Sequence, residues 1–190
     1  MSTPEPGLDL KIVLLHRALE TNAIAHAFGG ALSLAYYAEP RATIDVDLNV
    51  FVPPRRAGRT LDTLTALGID VDRRGTLELA RRDGQARVRW GRTPLDLFFS
   101  YDPFHDACQA ARRMVPFGDT QIPILAPEHL VVCTAVFDRR KDWIDIEQVL
   151  FLTAAELDVE EVTKWMDRLV GSTDRRATRL RGLLTNIVGA

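Results

Sequence analysis

The sequence predicts an α+β chain, with a mixed sheet and its helices in front and an all-helical region behind. Three observations carry this. Residues 43–52 alternate, with Ile44, Val46, Leu48 and Val50 on one side and Thr43, Asp45, Asp47 and Asn49 on the other. Two further apolar runs, 85–90 and 95–100, flank Gly91-Arg92-Thr93-Pro94 and read as a strand hairpin. From Pro127 onward the apolar spacing becomes helical, so the pattern changes near residue 125. The expected domains are therefore 1–125 and 126–190.

Element by element, Leu8, Ile12, Leu15 and Leu19 fall at helical spacing and predict a helix over 8–21. Residues 23–28 form a short apolar strand, broken by Gly29-Gly30 and followed by a helix over 31–38 that Pro40 ends. The alternating strand then runs from 43 until Pro53-Pro54 stops it. A helix over 56–67, the hairpin, one short helix and two short strands lead to Ile124.

Composition narrows the function classes. The chain has 190 residues, 46% hydrophobic and 26% charged, which suits an ordinary globular protein. A net charge of -2 excludes a wholly basic nucleic-acid coat but leaves room for a local basic face. No apolar run has the length of a membrane span, and Met1 to Gly7 lacks the basic start and apolar stretch of a signal peptide. Cys108 and Cys133 form no CxxC pair, so reduced cytoplasm is the expected compartment, with no membrane partner.

The chemistry begins with Asp45 and Asp47. Residues two apart on a strand share a face, and two like charges at one spot either hold a cation or stay solvated. Mg2+ takes one or two carboxylates together with substrate phosphates. The alternative is an exposed strand face. Gly29-Gly30, at a strand-to-helix turn, removes side chains where a phosphate or another backbone must come near, or simply makes a tight turn. Asp96 is the one charge in the apolar run Leu95-Asp96-Leu97-Phe98-Phe99. It is read as a third metal acid rather than as a residue satisfied by the turn after Pro94.

The stretch Phe28-Gly29-Gly30-Ala31-Leu32 through Arg41-Ala42-Thr43-Ile44-Asp45-Val46-Asp47-Leu48 resembles the nucleotidyltransferase superfamily. The likeness is closer to the AbiEii/MenT-like toxins of bacterial toxin–antitoxin systems, with their glycine pair followed by R-x-T-x-D-x-D. Pro127-Glu128-His129-Leu130 through Lys141-Asp142-Trp143-Ile144-Asp145-Ile146 is a second match. The resemblance implies a twisted mixed sheet flanked by helices with a C-terminal helical bundle. It also implies two Mg2+ ions and transfer of a nucleoside monophosphate from an NTP.

On that reading Asp45 and Asp47 bridge the metals, and Asp96 completes the metal nearer the attacking hydroxyl and accepts its proton. Lys141, helped by Arg41, offsets charge on the leaving pyrophosphate. Relatives tend to carry Lys near Thr134, so the threonine here is a departure. Thr43 offers a phosphate contact or a strand residue's packing. Phosphorylated there by a kinase-type antitoxin, it would place a dianion beside two carboxylates. An unchanged activity in Thr43→Glu would count against that. Asp142 and Asp145, three apart on a helix, are supporting candidates, at least one of them as a cap. His16, His26, His105 and His129 show no ligand spacing.

For the acceptor, residues 73–92 hold seven Arg against Glu78 and Asp83, and residues 164–181 hold Lys164 and five Arg against Asp167 and Asp174. Such runs suit a phosphate backbone or are solvated faces laced with opposite charge. With the resemblance they point to RNA, first of all the tRNA 3′ end, and to a toxin blocking translation. A small-molecule (antibiotic) nucleotidyltransferase and a non-catalytic nucleotide- or partner-binding module are the alternatives. The small-molecule version calls for an acidic acceptor pocket rather than arginine-rich flanks.

Overall fold

The computed structural model describes residues 5–189. In chain order its elements are α1 (Leu8–Thr21), β1 (His26–Phe28), α2 (Gly30–Leu34), β2 (Val46–Val50), α3 (Ala57–Ala66), α4 (Arg73–Asp83), β3 (Gln85–Trp90), β4 (Thr93–Phe99), α5 (Pro103–Ala111), β5 (Arg113–Phe117), β6 (Thr120–Ile124), α6 (Pro127–Phe137), α7 (Arg140–Thr153), α8 (Val159–Val170) and α9 (Arg175–Leu183). A 3-10 turn at Pro54–Arg56 and a π turn at Leu184–Val188 complete it. The fold is the predicted α+β one, a twisted mixed sheet flanked by helices with a C-terminal helical bundle. No helix among the described residues is long and apolar enough to cross a membrane.

The chain forms two compact units. One holds the chain up to Gly29 together with Ala42–Ile124, and the other holds Gly30–Arg41 with Leu125 onward. Residues 30–41, placed in front by the sequence boundary, thus fall in the second unit.

In the first unit six strands lie in the order β3-β4-β2-β1-β6-β5. β2 runs parallel to β4 and β1 to β6, and the other pairs are antiparallel. The period-2 pattern decides which side is dry. Val46, Leu48, Val50, Leu95, Leu97, Phe99, Ala86, Val88 and Trp90 are all buried. Residues between them on the three strands turn the other way. α4 packs on β3 and α3, and α1 packs against α3 and β6. Lys11 of α1 is buried. Its Nζ donates to Trp90 O (2.8 Å) and Thr93 Oγ1 (2.9 Å) and meets the Glu5 carboxylate, so the charge is fully partnered where water is excluded.

Three local departures matter below. The strand carrying Asp47 starts at Val46 rather than Thr43, and Ile44 is 70% exposed, so the alternation does not reach back through Asp45. The hairpin turn is only Gly91-Arg92, with Gly91 at φ +58, a left-handed conformation that glycine adopts without strain. Residues 73–83, read above only as a basic run, form α4. Asp72 caps it, its side chain accepting from the Gly75 N–H (3.2 Å), and Gly84 ends it at φ +69.

In the second unit α6 is buried on most of its circumference and packs against α2, α7, α8 and α9. That explains its nearly all-round apolar sequence. Trp143, Ile146, Val149, Val162, Trp165, Met166 and Leu180 fill the core. Asp158 caps α8 by accepting from the Glu161 N–H at 2.9 Å. Ser33 Oγ and Tyr37 Oη both donate to Leu125 O, at 3.1 and 3.0 Å.

Candidate active site

Strand register builds the centre of the site. Asp96 of β4 is the register partner of Asp47 on β2 and of Arg87 on β3. Register partners project from the same face, so Arg87, Asp96 and Asp47 form a row across three strands on the side away from the buried residues. Two acids on neighbouring strands of one face repel unless a cation is near, and here the cation is Arg87. Its Nε and Nη2 donate to the two Asp96 carboxylate oxygens, each at 2.6 Å, a bidentate pair. The guanidinium is held above its ordinary pKa, first by these hydrogen bonds and the Asp96 charge, then by smaller attractions to Asp45 and Asp47. Asp45 occupies the residue just before β2.

The approach to β2 is a side-chain turn. The Asp45 N–H donates to Thr43 Oγ1 at 3.1 Å, and the Thr43 hydroxyl donates to Asp45 O at 3.3 Å. Thr43 thus does not share a strand face with the acids, as the sequence suggested. Its hydroxyl closes the turn that presents Asp45. Gly29 donates its N–H to Asp47 O at 2.9 Å, fastening the glycine pair to the strand that bears the acid. Gly30 has φ +51 and opens α2, a helix of only five residues.

The remaining sequence-predicted residues lie in the second unit. Arg41 Nε donates to Asp145 Oδ2 at 3.2 Å, so Asp145 positions Arg41. Lys141 is exposed in the first turn of α7. Asp142 is buried and caps that helix, its Oδ2 accepting from the Arg139 N–H at 3.1 Å and facing the Arg139 guanidinium. Thr134, half-buried in α6, donates to Leu130 O at 2.7 Å. The four histidines are buried; His16 and His26 bond to each other, and His105 helps cap α5.

The basic runs turn out to be largely engaged. Arg73, Arg74, Arg82, Arg87 and Arg92 pair with Asp62, Glu78, Asp83, Asp96 and Glu5. Lys164, Arg175, Arg176 and Arg181 pair with Glu161, Asp138, Asp174 and Asp167. Arg179 stacks over the Trp143 ring.

Among the described residues, no three His, Cys, Asp or Glu groups stand together as a ready metal cage. The register does bring Asp47 and Asp96 into one row, with Asp47 two residues along the chain from Asp45, and each Asp96 oxygen accepts a hydrogen bond from Arg87. Carboxylates are the hard oxygen donors that Mg2+ prefers. Arg87 is the site residue that sequence reasoning missed. The missing signal was the length of the hairpin turn.

No family model and no curated protein sequence matches the chain. Solved structures match its fold. The antibiotic-resistance factor ANT(2″)-Ia aligns over 94% of this chain and 95% of that one, at 16% identity and a TM-score of 0.59. The crystal structure of ANT(2″)-Ia with adenylyl-2″-tobramycin covers 92% and 97%, at 14% identity and TM-score 0.59. The lincomycin-bound lincosamide antibiotic adenylyltransferase LnuA covers 80% and 100%, at 12% identity and TM-score 0.51. The chain shares the fold of these structures.

Proposed function

We propose that this chain is a Mg2+-dependent nucleotidyltransferase that moves a nucleoside monophosphate from an NTP to a hydroxyl of a small molecule. The observation that carries the reading is the registered row of Asp47 and Asp96 with Asp45 beside it. Asp45 and Asp47 would hold the metal ions, and Asp96 would complete the one nearer the acceptor. Bound there, the ions supply charge neutralisation for the triphosphate and acidify the attacking hydroxyl. Asp96, an acceptor when ionised, takes the proton of that hydroxyl at a carboxylate oxygen. Thr43 fixes the backbone that presents Asp45. Gly29, whose N–H bonds to Asp47 O, brings no side chain of its own beside β2. On the motif resemblance alone, Lys141 and Arg41 are assigned to the leaving phosphates.

Two observations favour a small acceptor. The fold likeness runs over nearly the whole chain to proteins that modify antibiotics. The arginine runs that would track an RNA backbone are mostly paired within the chain. RNA, with the tRNA 3′ end first, is the second reading, on a specific ground. The groove beside Ile44, about 490 Å³ in volume, is lined by Glu5, Lys11, Arg92, Thr93 and apolar groups. The one acid of that groove, Glu5, is already paired with Lys11 and Arg92, so the groove offers no acidic pocket for a polycationic drug. On this second reading the chain is a toxin with a cognate antitoxin, and Thr43 is a target for a kinase partner.

The test is transfer of label from each of four radiolabelled NTPs in Mg2+, with total tRNA in one arm and a panel of aminoglycosides, lincosamides and other hydroxylated compounds in the other. Label on a small molecule supports the first reading, and label on tRNA with a growth defect on expression supports the second. NTP binding with no transfer to either acceptor class means a non-catalytic module. Asp47→Asn is the control.

A further inference from the structure

We propose that Arg87 is a positioning residue that holds Asp96 in an idle state and releases it when a divalent ion binds. The inference rests on the nucleotidyltransferase reading of the three acids and deepens it. The pair is bidentate, so the guanidinium covers both Asp96 oxygens, and its charge also reaches Asp45 and Asp47. A divalent ion ligated by Asp96 would lie within a few ångströms of a like charge. The ion and the Arg87–Asp96 pair therefore compete for one carboxylate.

The geometry gives Arg87 somewhere to go. β3 is the edge strand of the sheet, and the Arg87 side chain is 56% exposed against 20% for Asp96. The arginine can swing into solvent while the aspartate stays in place. A released guanidinium keeps its planar fork, which matches phosphate oxygens as well as carboxylate oxygens. Metal without nucleotide must displace the arginine for nothing in return, whereas a metal–triphosphate complex brings a new partner for it. Linkage then makes metal and nucleotide bind cooperatively through Arg87. Asp96 is also shielded from idle chelation when no substrate is present.

The experiment is a Mn2+ titration of the full chain without nucleotide, read by electron paramagnetic resonance as free Mn2+. Arg87→Gln is expected to bind Mn2+ about tenfold tighter than the wild type, a coupling of ordinary size for two linked sites. Arg87→Lys keeps the charge but not the fork, and should fall between them. Arg89→Gln removes a charge two residues along the same strand face and should stay within about twofold of wild type, as expected for an exposed charge screened by solvent. The double variant R87Q/D96N should lose the gain. Thermal melts confirm that each variant is folded; if R87Q is not, R87K and R89Q carry the comparison. Equal affinity in wild type and R87Q, or an equal gain in R89Q, overturns the proposal and leaves the metal site standing. Absence of Mn2+ binding by every form overturns the proposal and the metal reading beneath it together.

Discussion

Asp47 and Asp96 sit opposite each other on parallel strands, where like charges are destabilising unless a cation shares the space. A chain selected only for stability would place a neutral residue at one of the two. Asp47→Asn keeps the shape and removes one charge from a half-buried face, so the fold should survive. Transfer should drop by about a hundredfold or more, as when a charge partner of a transition state is lost. Steady-state incorporation of labelled NTP measures this. His26 shows the opposite use of a titratable group. Its Nδ1–H donates to Ile24 O at 2.9 Å, which leaves Nε2 to accept from the His16 Nδ1–H at 3.1 Å. A proton on Nε2 would face a donor. Burial, with His16 and Arg112 adding to it, pushes His26 from 6.5 down to about 4. Below pH 6.5 the unfolded imidazole takes a proton that the native one refuses. Stability from this group is thus level above 6.5 and falls as pH drops towards 4, by about 3 kcal/mol in all. His16, His105 and His129, also lowered by burial, act in the same direction. Urea unfolding between pH 7 and 4 should show a shallower slope in His26→Gln by about one proton; an unchanged slope would remove His26 from the account.

At the scale of elements, the start of α7 separates a structural acid from the proposed chemistry. Asp142 closes the first turn of that helix and is buried doing so. Asp142→Ala should cost about 1–2 kcal/mol through loss of a cap and its buried partner. Chemical denaturation reads the loss, while Mn2+ affinity at the first-unit acids stays unchanged. A fall in that affinity would make Asp142 part of the metal site. The same scale shows what could be read from sequence. β2 was legible around Asp47 because Val46, Leu48 and Val50 alternate with polar residues. Its start was not, because the Thr43 turn satisfies the same backbone groups a strand would use. α4 was hidden because residues 73–83 carry few apolar side chains, and only the cap Asp72 and terminator Gly84 mark it. Arg87 was hidden by turn length. A four-residue turn over 91–94 would set Arg89 opposite Asp96. The actual two-residue turn sets Arg87 there. Both arginines point to the same face, so periodicity cannot choose between them.

For the whole molecule, ligand binding and unfolding are one equilibrium, and the division of residues between units makes it diagnostic. Asp45, Asp47, Asp96 and Arg87 all belong to the first unit, whereas Arg41, Lys141 and Asp142 belong to the second. Two units of one chain need not melt together, and a ligand raises only the transition that destroys its site. Mg2+ alone should move the melting point little, because the arginine must first be displaced. Mg2+ with an accepted NTP at about 100 times its Kd should add about 2.7 kcal/mol. In a chain of this size that is a rise of about 5–10 °C. If two transitions are seen, Mn2+ alone in Arg87→Gln should raise the one that Asp142→Ala leaves untouched. Differential scanning calorimetry of wild type, R87Q, D142A and D47N, with and without metal and nucleotide, reads all of this in one series. An NTP shift of the same size in EDTA would mean that the nucleotide binds without the acids, and the metal would then have no part in holding it.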